Sequence, residues 1–387
     1  MSLIYHSVEP ENYRPDYKEH QLIDFVLNYP QRKLVNSSIR ISADLKLTQA
    51  TGGVGASIDV ASMNTFIDPQ VGAHCFFDTI TTSFPSKFGT VENIVNYPRW
   101  VKVRSIARLS PLDMFEAQKV AELRSPTQYI SKEVIKGVAT NRVANTAGGT
   151  NQNFSVKPDI CLNSMASQGD NRLSFRKSGA IRISVRLAPN AECFFGPDAT
   201  DLNVGGVQVG QVRYSLTNVR LHFETNPDDG KDSGIVMPNI VNVKTSVNST
   251  YQNLALTAPV SARGFVATFI KQSEETNPIF NNLACQNLPS LSKLTYLYNN
   301  ATTNAQITYQ ITDSQEVLNR FTEAISSSYH NMVPLQNQWH DKAFGIGLKF
   351  DSVTNMASSK VNIQLSTAVT NTEPYTVNMF FLGVMSL

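Results

Sequence analysis

The stretch from Val204 to Thr225 constrains the fold of this chain most, because its apolar residues alternate with polar ones and change phase once. Apolar side chains occupy every second position on both sides of a single slip at Thr217-Asn218: Val212, Tyr214 and Leu216 before it, and Val219, Leu221 and Phe223 after it. A period of two is typical of a β-strand, and a one-residue slip predicts a β-bulge or a strand that changes sheets. Gly205, Gly206 and Gly210 precede the alternating part of the stretch as a flexible lead-in, and residues 226–230 (Asn-Pro-Asp-Asp-Gly) are typical of a turn. We therefore expect a new β unit to begin here, at a seam between two domains.

The length and charge of the chain limit the number of domains and the kind of partner. With 387 residues, of which 41% are apolar, we expect two domains of about 150 to 200 residues each. The formal charge of +2 is too close to neutral to predict a nucleic acid as a direct partner. Residues 1–20 carry two basic and four acidic side chains, which argues against a basic arm that condenses a genome. We predict no direct sequence-specific nucleic-acid binding.

The sequence lacks a recognisable targeting signal, and its cysteines lack the spacing of a disulfide framework. The N-terminus has no basic region followed by an apolar core, and no run of about 18 apolar residues occurs. These features predict a soluble protein that is made in the cytoplasm and not secreted. The four cysteines are widely spaced, and a chain of this length needs no disulfides to hold its core. We expect reduced, mostly buried thiols; the alternative is a disulfide or an assembly cross-link.

The first thirty residues divide into two segments. Residues 1–19 are polar and lack a sustained period, which is typical of an extended arm. Apolar residues then recur at helical spacing before a closing proline: Leu22, Phe25, Val26 and Tyr29, followed by Pro30. We predict a short amphipathic helix here. It would dock on its own domain or, alternatively, on a neighbouring subunit or a membrane surface.

Closely spaced β patterns fill much of the remaining chain. The clearest strand runs from Ile39 to Leu47, and a similar one runs from Ile181 to Leu187. Three further β-like runs are separated by turn residues: 71–82, 90–97 and 100–106. Strands this close together favour an antiparallel sandwich or barrel over parallel βαβ units.

Two stretches near the C-terminus carry more specific expectations. Residues 344–350 form a strand pattern in which Gly345 and Gly347 share the face opposite the apolar residues. Glycine on one strand face predicts that another backbone approaches closely there. The final stretch, Tyr375 to Leu387, is strongly apolar. We expect it to be paired within a sheet.

One amphipathic helix is predicted in each half of the chain. Ser110-Pro111 supplies a helix start, and apolar residues recur from Met114 to Leu123. The second helix begins at Asp313 or Ser314 and continues to Ile325. Each half therefore has the same order of strands, one helix and more strands, without a literal sequence repeat. Polar stretches are predicted as exposed loops at 137–176, 273–282 and 299–304.

The sequence contains no motif that predicts a catalytic, cofactor or metal site. The six histidines lack metal-binding spacing, and His74 and His222 lie in strand contexts where packing or hydrogen bonding is the expected role. Trp339-His340-Asp341 places a carboxylate near an imidazole, but no Gly-x-Ser-x-Gly elbow supplies a nucleophile. The glycine clusters lack nucleotide-binding patterns, and the acidic turn 228–232 lacks the rest of a calcium loop. We predict that the chain is not an enzyme.

The layout of the chain resembles the double jelly-roll major capsid proteins of tailless icosahedral DNA viruses. This lineage contains adenovirus hexons, tectivirus coats and the coats of virophages and polinton-like viruses. The resemblance covers nearly the whole chain and rests on element order, without a diagnostic motif. Four stretches carry it most clearly: Val71–Ile80, Gly89–Tyr97, Gln211–Glu224 and Tyr375–Leu387.

The resemblance implies an all-β fold of two consecutive eight-stranded antiparallel jelly-roll sandwiches with a few short helices. It implies a homotrimeric, pseudo-hexagonal capsomer that tiles an icosahedral virion shell around a DNA genome. The partners implied are further copies of the chain, penton proteins and minor or cement capsid proteins. In many relatives an internal membrane lies beneath the base, where the N-terminal arm would lie.

These considerations give the domain boundaries and the candidate residues. We predict an arm and short helix at 1–30, a first jelly roll at 31–195, a linker at 196–209 and a second jelly roll at 210–387. Four aromatic residues are candidate assembly contacts because of their placement in the arm, the first helix and a loop: Tyr5, Tyr13, Phe25 and Trp339. The alternative function is a viral spike, penton or carbohydrate-binding β-sandwich protein.

Overall fold

The computed structural model describes residues 3–49, 66–108, 121–124, 152–164, 172–196, 212–230, 236–256, 261–286, 291–300, 303–310, 314–326, 344–355, 360–367 and 373–386. Eighteen strands lie in these ranges: β1 Ile4–Val8, β2 Leu22–Leu27, β3 Arg32–Leu34, β4 Arg40–Gln49, β5 Phe77–Phe84, β6 Gly89–Ile94, β7 Gln152–Val156, β8 Leu173–Ser174, β9 Ile181–Leu187, β10 Val212–Pro227, β11 Val236–Val247, β12 Tyr251–Leu256, β13 Ser261–Lys271, β14 Leu291–Asn300, β15 Thr303–Gln310, β16 Ile346–Asn355, β17 Lys360–Thr367 and β18 Tyr375–Ser386. The α-helices in the same ranges are α1 Tyr97–Arg108, α2 Phe175–Ser178, α3 Asn190–Cys193, α4 Gln272–Glu275 and α5 Ser314–Ser326. Short 3₁₀ turns span Gly72–Phe76 and Cys161–Asn163.

The strands form three sheets, and the prediction of an all-β fold is confirmed. A six-stranded sheet has the order β7-β4-β10-β3-β8, with β1 also paired to β10. An eight-stranded sheet has the order β16-β13-β18-β11-β6-β5-β9-β2, and a four-stranded sheet has the order β12-β17-β14-β15. Nearly all pairings are antiparallel, both between consecutive strands such as β5 and β6 and between strands distant in sequence, such as β2 with β9 and β11 with β18.

The eight-stranded sheet joins the two halves of the chain. Its strands β2, β9, β5 and β6 come from the first half, and β11, β18, β13 and β16 come from the second. The junction is a parallel pairing of β6 with β11 at Asn93 and Val241. Beside it, the Asn239 side chain donates a hydrogen bond to the Val91 carbonyl at 3.1 Å. The two halves therefore share a backbone-bonded sheet.

Each half contributes strands to two sheets. In the first half, Phe77 of β5 contacts Phe154 of β7 across the sandwich, with ring centroids 6.4 Å apart. The second half contributes eight strands, four to each of two sheets. The first half has two additional members in its described part, the arm strand β1 and the two-residue β8. Alternating burial along β4 and β9 confirms both of these predicted strands, since their apolar residues are buried and face the core.

The strand β10 confirms the predicted bulge but corrects the predicted boundary between the halves. Its register against β4 shifts between Thr217 and Arg220, and Asn218 adopts a positive φ of 52°. However, the strand partners of β10 are β1, β3 and β4, all within the first 49 residues. The predicted start of the second unit at residue 210 therefore assigns this strand to the wrong half. Glycines and turn residues mark where a strand begins and ends, but they do not identify its hydrogen-bonding partner.

Two local predictions in the first half are wrong. Residues 22–27 form strand β2 and not a helix; Ile23, Phe25 and Leu27 are buried, while Leu22 is exposed. The period-two alternation coexists with the helical spacing in this short segment, and pairing with β9 decides between them.

Residues 100–106 lie in helix α1 and not in a strand. This helix buries charged as well as apolar side chains, so its sequence shows no apolar stripe with helical period. The helix predicted over 110–123 lies largely outside the described residues.

The second half follows its predictions more closely. Helix α5 forms where expected and buries Val317, Phe321 and Ile325. It packs against β16, where a Cβ added to Gly347 would lie only 3.1 Å from the Phe321 Cα. The predicted close backbone approach on the glycine face is therefore confirmed. The C-terminal strand β18 is paired on both edges, with β11 and β13, as predicted.

The predicted polar loops are only partly loops. Gln152–Val156 forms strand β7, in which Asn153 lies opposite Asp44 of β4. Residues 299–304 include the ends of the β14–β15 hairpin, and residues 272–275 form helix α4. Polar composition is typical of exposed strands as well as of loops, so composition alone could not separate them. Much of 137–176 lies outside the described residues.

Candidate functional site

The four candidate assembly residues have different environments. Tyr5 and Tyr13 lie on the N-terminal arm, and each is 62% exposed. Phe25 is 0% exposed in the core, so it offers no surface to another subunit and is wrong as an assembly contact. Trp339 lies outside the described residues, as does the Trp339-His340-Asp341 triplet. The exposed candidates therefore belong to the arm.

The arm covers the outer edge of strand β10. Thr225 of β10 is paired with Leu34 of β3 on one side and with Ile4 of β1 on the other. Because a strand has one neighbour on each side, β1 must lie on the edge opposite β3 and β4. Further along, Tyr17 and Leu216 exchange two backbone hydrogen bonds of 2.8 Å. Without the arm, these backbone groups of β10 would face solvent as an open sheet edge.

The same arm covers the end strand of the second sheet. The Glu11 amide donates to the Asp24 carbonyl of β2 at 2.8 Å. The Asn12 side chain donates to the Leu22 carbonyl at 2.7 Å and accepts from the Asp24 amide at 3.0 Å. Asn12 thus acts as a short substitute for a neighbouring strand. Residues 4–17 therefore cover the β10 edge of the six-stranded sheet and the β2 edge of the eight-stranded sheet.

Contacts along the arm differ in depth. Tyr17 is 1% exposed and its hydroxyl donates to the Asn12 carbonyl, so it anchors the base of the arm in the core. The tip is held closer to the surface, by hydrogen bonds between Tyr5 and His222 at 2.6 Å and between His6 and Thr225 at 2.8 Å. Large apolar side chains are exposed on the arm and at the start of β2: Leu3, Ile4, Tyr5, Tyr13 and Leu22. We name this set of residues the arm surface.

The interior of the molecule contains a buried polar junction between the halves, centred on Asp68. This carboxylate is 1% exposed and accepts the amides of Gln70 and Val71 at 2.9 and 3.0 Å. Its other oxygen receives the Lys102 ammonium of α1 and the Asn281 side-chain amide, each at 2.7 Å. Burial alone would raise the pKa of Asp68, but the Lys102 charge and these hydrogen bonds outweigh it and hold the pKa below its usual value. Since Asn281 belongs to the second half, Asp68 ties the two halves together.

A second contact between the halves lies beside it. Arg99 of α1 donates to the Asn282 carbonyl and forms an ion pair with Glu275 at 3.8 Å. The Asn282 side chain returns a hydrogen bond to the Glu192 carbonyl at 2.9 Å. These residues line a cleft of about 20 Å³, which holds about one or two water molecules. The cleft is too small for an organic substrate.

His74 and His222 are both hydrogen-bonded, as predicted, although His74 lies in the 3₁₀ turn Gly72–Phe76 and only His222 lies in a strand. The Tyr97 hydroxyl accepts the Asp159 amide at 2.8 Å and lies 2.8 Å from Nδ1 of the fully buried His74. His222 contacts Tyr5 and the Ser42 hydroxyl at 2.7 Å. All four cysteines are buried, as predicted, and none is in a disulfide in this structure. Among the described residues, no three His, Cys, Asp or Glu side chains come together as metal ligands would.

Comparison with known proteins decides the fold. Neither a family model nor a curated protein matches the sequence. Solved structures match along the whole chain. The Faustovirus major capsid protein superposes with a TM-score of 0.64 at 8% identity, over 100% of this chain and 90% of that chain. A chain of the Sputnik virophage particle gives 0.59 at 10% identity, over 100% and 86%, and one of the PBCV-1 capsid gives 0.56 at 9%, over 100% and 94%.

The chain is a double jelly roll. This architecture explains why the first and second halves repeat the order of strands, helix and strands without repeating their sequence. In this double jelly roll, the two sandwiches are joined through the eight-stranded sheet and the Asp68 junction. No described helix has the length and apolar character needed to cross a membrane.

The residues that join the two jelly rolls were not predicted from the sequence. Asp68, Lys102 and Asn281 lie far apart in the sequence, and each has an ordinary polar neighbourhood there. One signal was available: Arg99, Lys102 and Arg104 interrupt an apolar run around Trp100 without forming a polar face. In the double jelly roll all three cations are buried and paired with carboxylates.

Glu92 gives the double jelly roll a pH-dependent stability. Burial raises the pKa of Glu92 to about 7, although the Cys161 amide donates to its carboxylate at 2.7 Å. The folded form therefore keeps a proton that the unfolded chain loses from about pH 4.5 upward, so the free energy of unfolding falls as pH rises to 7. We expect Glu92→Gln to remove on the order of 3 kcal/mol of this pH dependence. Denaturant titrations of both proteins at pH 5 and pH 8 measure it; an unchanged pH dependence in the variant contradicts the assignment.

Proposed function

We propose that this chain is a major capsid protein, a structural subunit of an icosahedral virion shell. The observation that supports the proposal most is the full-length superposition on viral capsid chains, which covers both jelly rolls and the junction between them. Capsid subunits must transmit load without changing shape. The shared sheet and the buried Asp68 and Arg99 contacts suit this role, because they fix one jelly roll against the other.

The unit of assembly in this proposal is a homotrimer. Three chains would place six jelly rolls in a pseudo-hexagonal ring, and these capsomers would tile a shell around a DNA genome. Closed three-fold symmetry satisfies identical interfaces and leaves no sheet edge free to recruit strands without limit. Obligate interfaces of this kind commonly bury more than about 2,000 Å². Penton and minor or cement proteins would contact the capsomer, and in a shell that encloses a membrane the arm would face that membrane.

The function proposed is mechanical and includes no chemical turnover. In the described part of the chain, buried charged side chains form ion pairs within the protein, such as Asp68 with Lys102 and Arg104 with Asp159. The cleft at the junction admits only water-sized molecules. The near-neutral net charge lets identical subunits pack without strong repulsion. Localisation in the virion and synthesis in the host cytoplasm follow from this role.

Electron microscopy of the purified chain tests the proposal. We expect class averages with three-fold symmetry and a pseudo-hexagonal outline, and closed shells at higher protein concentration. Single globular particles at every concentration would contradict it and would favour a spike or carbohydrate-binding protein. A glycan-binding screen would then distinguish these alternatives.

The arm should be needed for correct assembly because it closes the open edges of both sheets. We expect deletion of residues 1–12, which spares the buried Tyr17, to leave the far-ultraviolet circular dichroism nearly unchanged. The exposed β10 and β2 edges should instead cause irregular aggregation and prevent closed shells. Light scattering and electron microscopy of the variant measure both effects.

A matched variant separates the backbone of the arm from its side chains. Tyr5→Ser combined with Tyr13→Ser keeps the paired backbone but removes two exposed rings of the arm surface. We expect this variant to stay free of aggregates and to assemble more weakly. Normal shells from both variants would exclude the arm from assembly.

A further inference from the structure

Two of the four buried cysteines lie against each other. Cys75 is in the 3₁₀ turn that precedes β5, and Cys193 ends helix α3, which is 118 residues later in the sequence. The Cys193 thiol donates to the Cys75 carbonyl at 3.4 Å. Burial, followed by a hydrogen bond with the Cys75 side chain, raises the pKa of Cys193 well above its usual value. The Cys193 sulfur therefore lies against the backbone of Cys75, and the two residues are direct neighbours.

The backbone on both sides of the pair is held in place. The Ala188 amide donates to the Phe76 carbonyl at 2.9 Å, next to Cys75. At the start of α3, the Asn190 side chain accepts the Tyr214 amide of β10 at 2.9 Å. These bonds fix the segments that carry the two thiols.

One of the two cysteines lines a small cleft. Cys75 lines the junction cleft together with Arg99, Glu192 and Asn282. The cleft has room for about one or two water molecules. A peroxide is close to water in size, whereas a thiol reagent such as glutathione is far too large. Of the two cysteines, Cys75 is therefore the one that lies beside space for a small oxidant.

We propose that Cys75 and Cys193 form a latent disulfide that a peroxide closes. In the first step, the Cys75 thiolate attacks one oxygen of hydrogen peroxide, the O–O bond breaks, and Cys75 sulfenic acid and hydroxide form. In the second step, the Cys193 sulfur attacks the sulfenic sulfur, the S–O bond breaks, and water leaves. In total, two thiols lose two electrons and two protons, and one peroxide is reduced to two waters. The product links the entry of β5 to α3 inside the first jelly roll.

The Cys75–Cys193 disulfide would act after a virus particle leaves the reducing interior of a cell, a role that rests on the proposed capsid function. Disulfides persist outside the cell, and a cross-link between residues so far apart in sequence restricts the unfolded chain strongly. The raised pKa of Cys193 leaves little thiolate at neutral pH, so closure is slow there and accelerates as the pH rises. The link would therefore form during maturation or exposure and not during synthesis.

Thiol counting tests the proposal on the full chain. The native protein is treated with hydrogen peroxide, denatured, and titrated with a thiol reagent. We expect the count to fall from four thiols to two, and disulfide mapping by mass spectrometry to recover one Cys75–Cys193 peptide pair. The melting temperature of the treated protein should rise and should return to its initial value on reduction.

Two variants act as controls. Cys193→Ser should give sulfenic or higher acids on Cys75 and no intramolecular disulfide. Cys161→Ser, which removes another buried cysteine, should still lose two thiols on treatment. Four remaining thiols after treatment of the native protein would overturn the proposal. A cross-link between two chains on a non-reducing gel, or oxidised Cys75 without a link to Cys193, would overturn it equally.

Discussion

Replacement of Asp68 by asparagine is expected to lower the free energy of unfolding by about 3 to 5 kcal/mol, which is the range for a broken buried ion pair. The substitution keeps the size of the side chain but leaves the Lys102 ammonium buried without its counter-charge. It also weakens the hydrogen bond that Asn281 of the second jelly roll donates. Because the contact joins the two halves, we expect the loss to appear as separate unfolding steps of the two jelly rolls. Calorimetry and denaturant titration measure both effects.

A surface ion pair provides the matched control for Asp68. Asp16 and Lys18 are 3.5 Å apart and exposed, so Asp16→Asn should change the free energy of unfolding by less than about 1 kcal/mol. The contribution of Asp68 to the free energy of unfolding of the wild-type protein also depends on pH. The lowered pKa of Asp68 means that its contribution is present near neutral pH and is lost as the pH falls through the folded-state pKa. Equal effects of the two substitutions, or a single unchanged transition in Asp68→Asn, would contradict the role of the junction.

Replacement of Phe25 by alanine is expected to cost about 3 to 5 kcal/mol of stability, as for other buried aromatic side chains. Phe25 is 0% exposed in β2 and faces the interior of the first jelly roll. Leu22 lies on the same strand but is 46% exposed, so Leu22→Ala is the matched control and should cost well under 1 kcal/mol. Thermal unfolding of both variants measures the difference.

The same pair of variants separates core packing from assembly. Leu22 belongs to the arm surface, and its loss should weaken association of subunits more than it weakens folding. Phe25→Ala should weaken folding more than association of subunits. At a temperature where this variant is folded, it should assemble normally. A variant of Phe25 that folds with wild-type stability but fails to form capsomers would restore it as an assembly contact.

The sequence predicts those features that are set by local periodicity. The alternation in β4 and β9, the phase slip in β10, the apolar face of α5 and the glycine face of β16 are all local patterns that are present in the folded chain. Each depends on how neighbouring residues share one face of an element, and that geometry is fixed by the period of the backbone.

Features that are set by distant partners could not be predicted in this way. The pairing of β10 with the first 49 residues depends on hydrogen bonds between backbones, which carry no side-chain signature. Helix α1 buries Arg99 and Lys102 because Glu275 and Asp68 neutralise them, and these partners are distant in sequence. The role of Asn12 could not be predicted from the sequence either, since it follows only from the position of this residue beside β2.

The solution mass of the purified chain, measured by light scattering over a dilution series, tests the central claim most directly. A capsid subunit of this kind is expected to give three times 42.7 kDa, about 128 kDa, and to keep that mass on dilution. A folded protein that remains at the mass of one chain at all concentrations would contradict the capsomer and with it the proposed function.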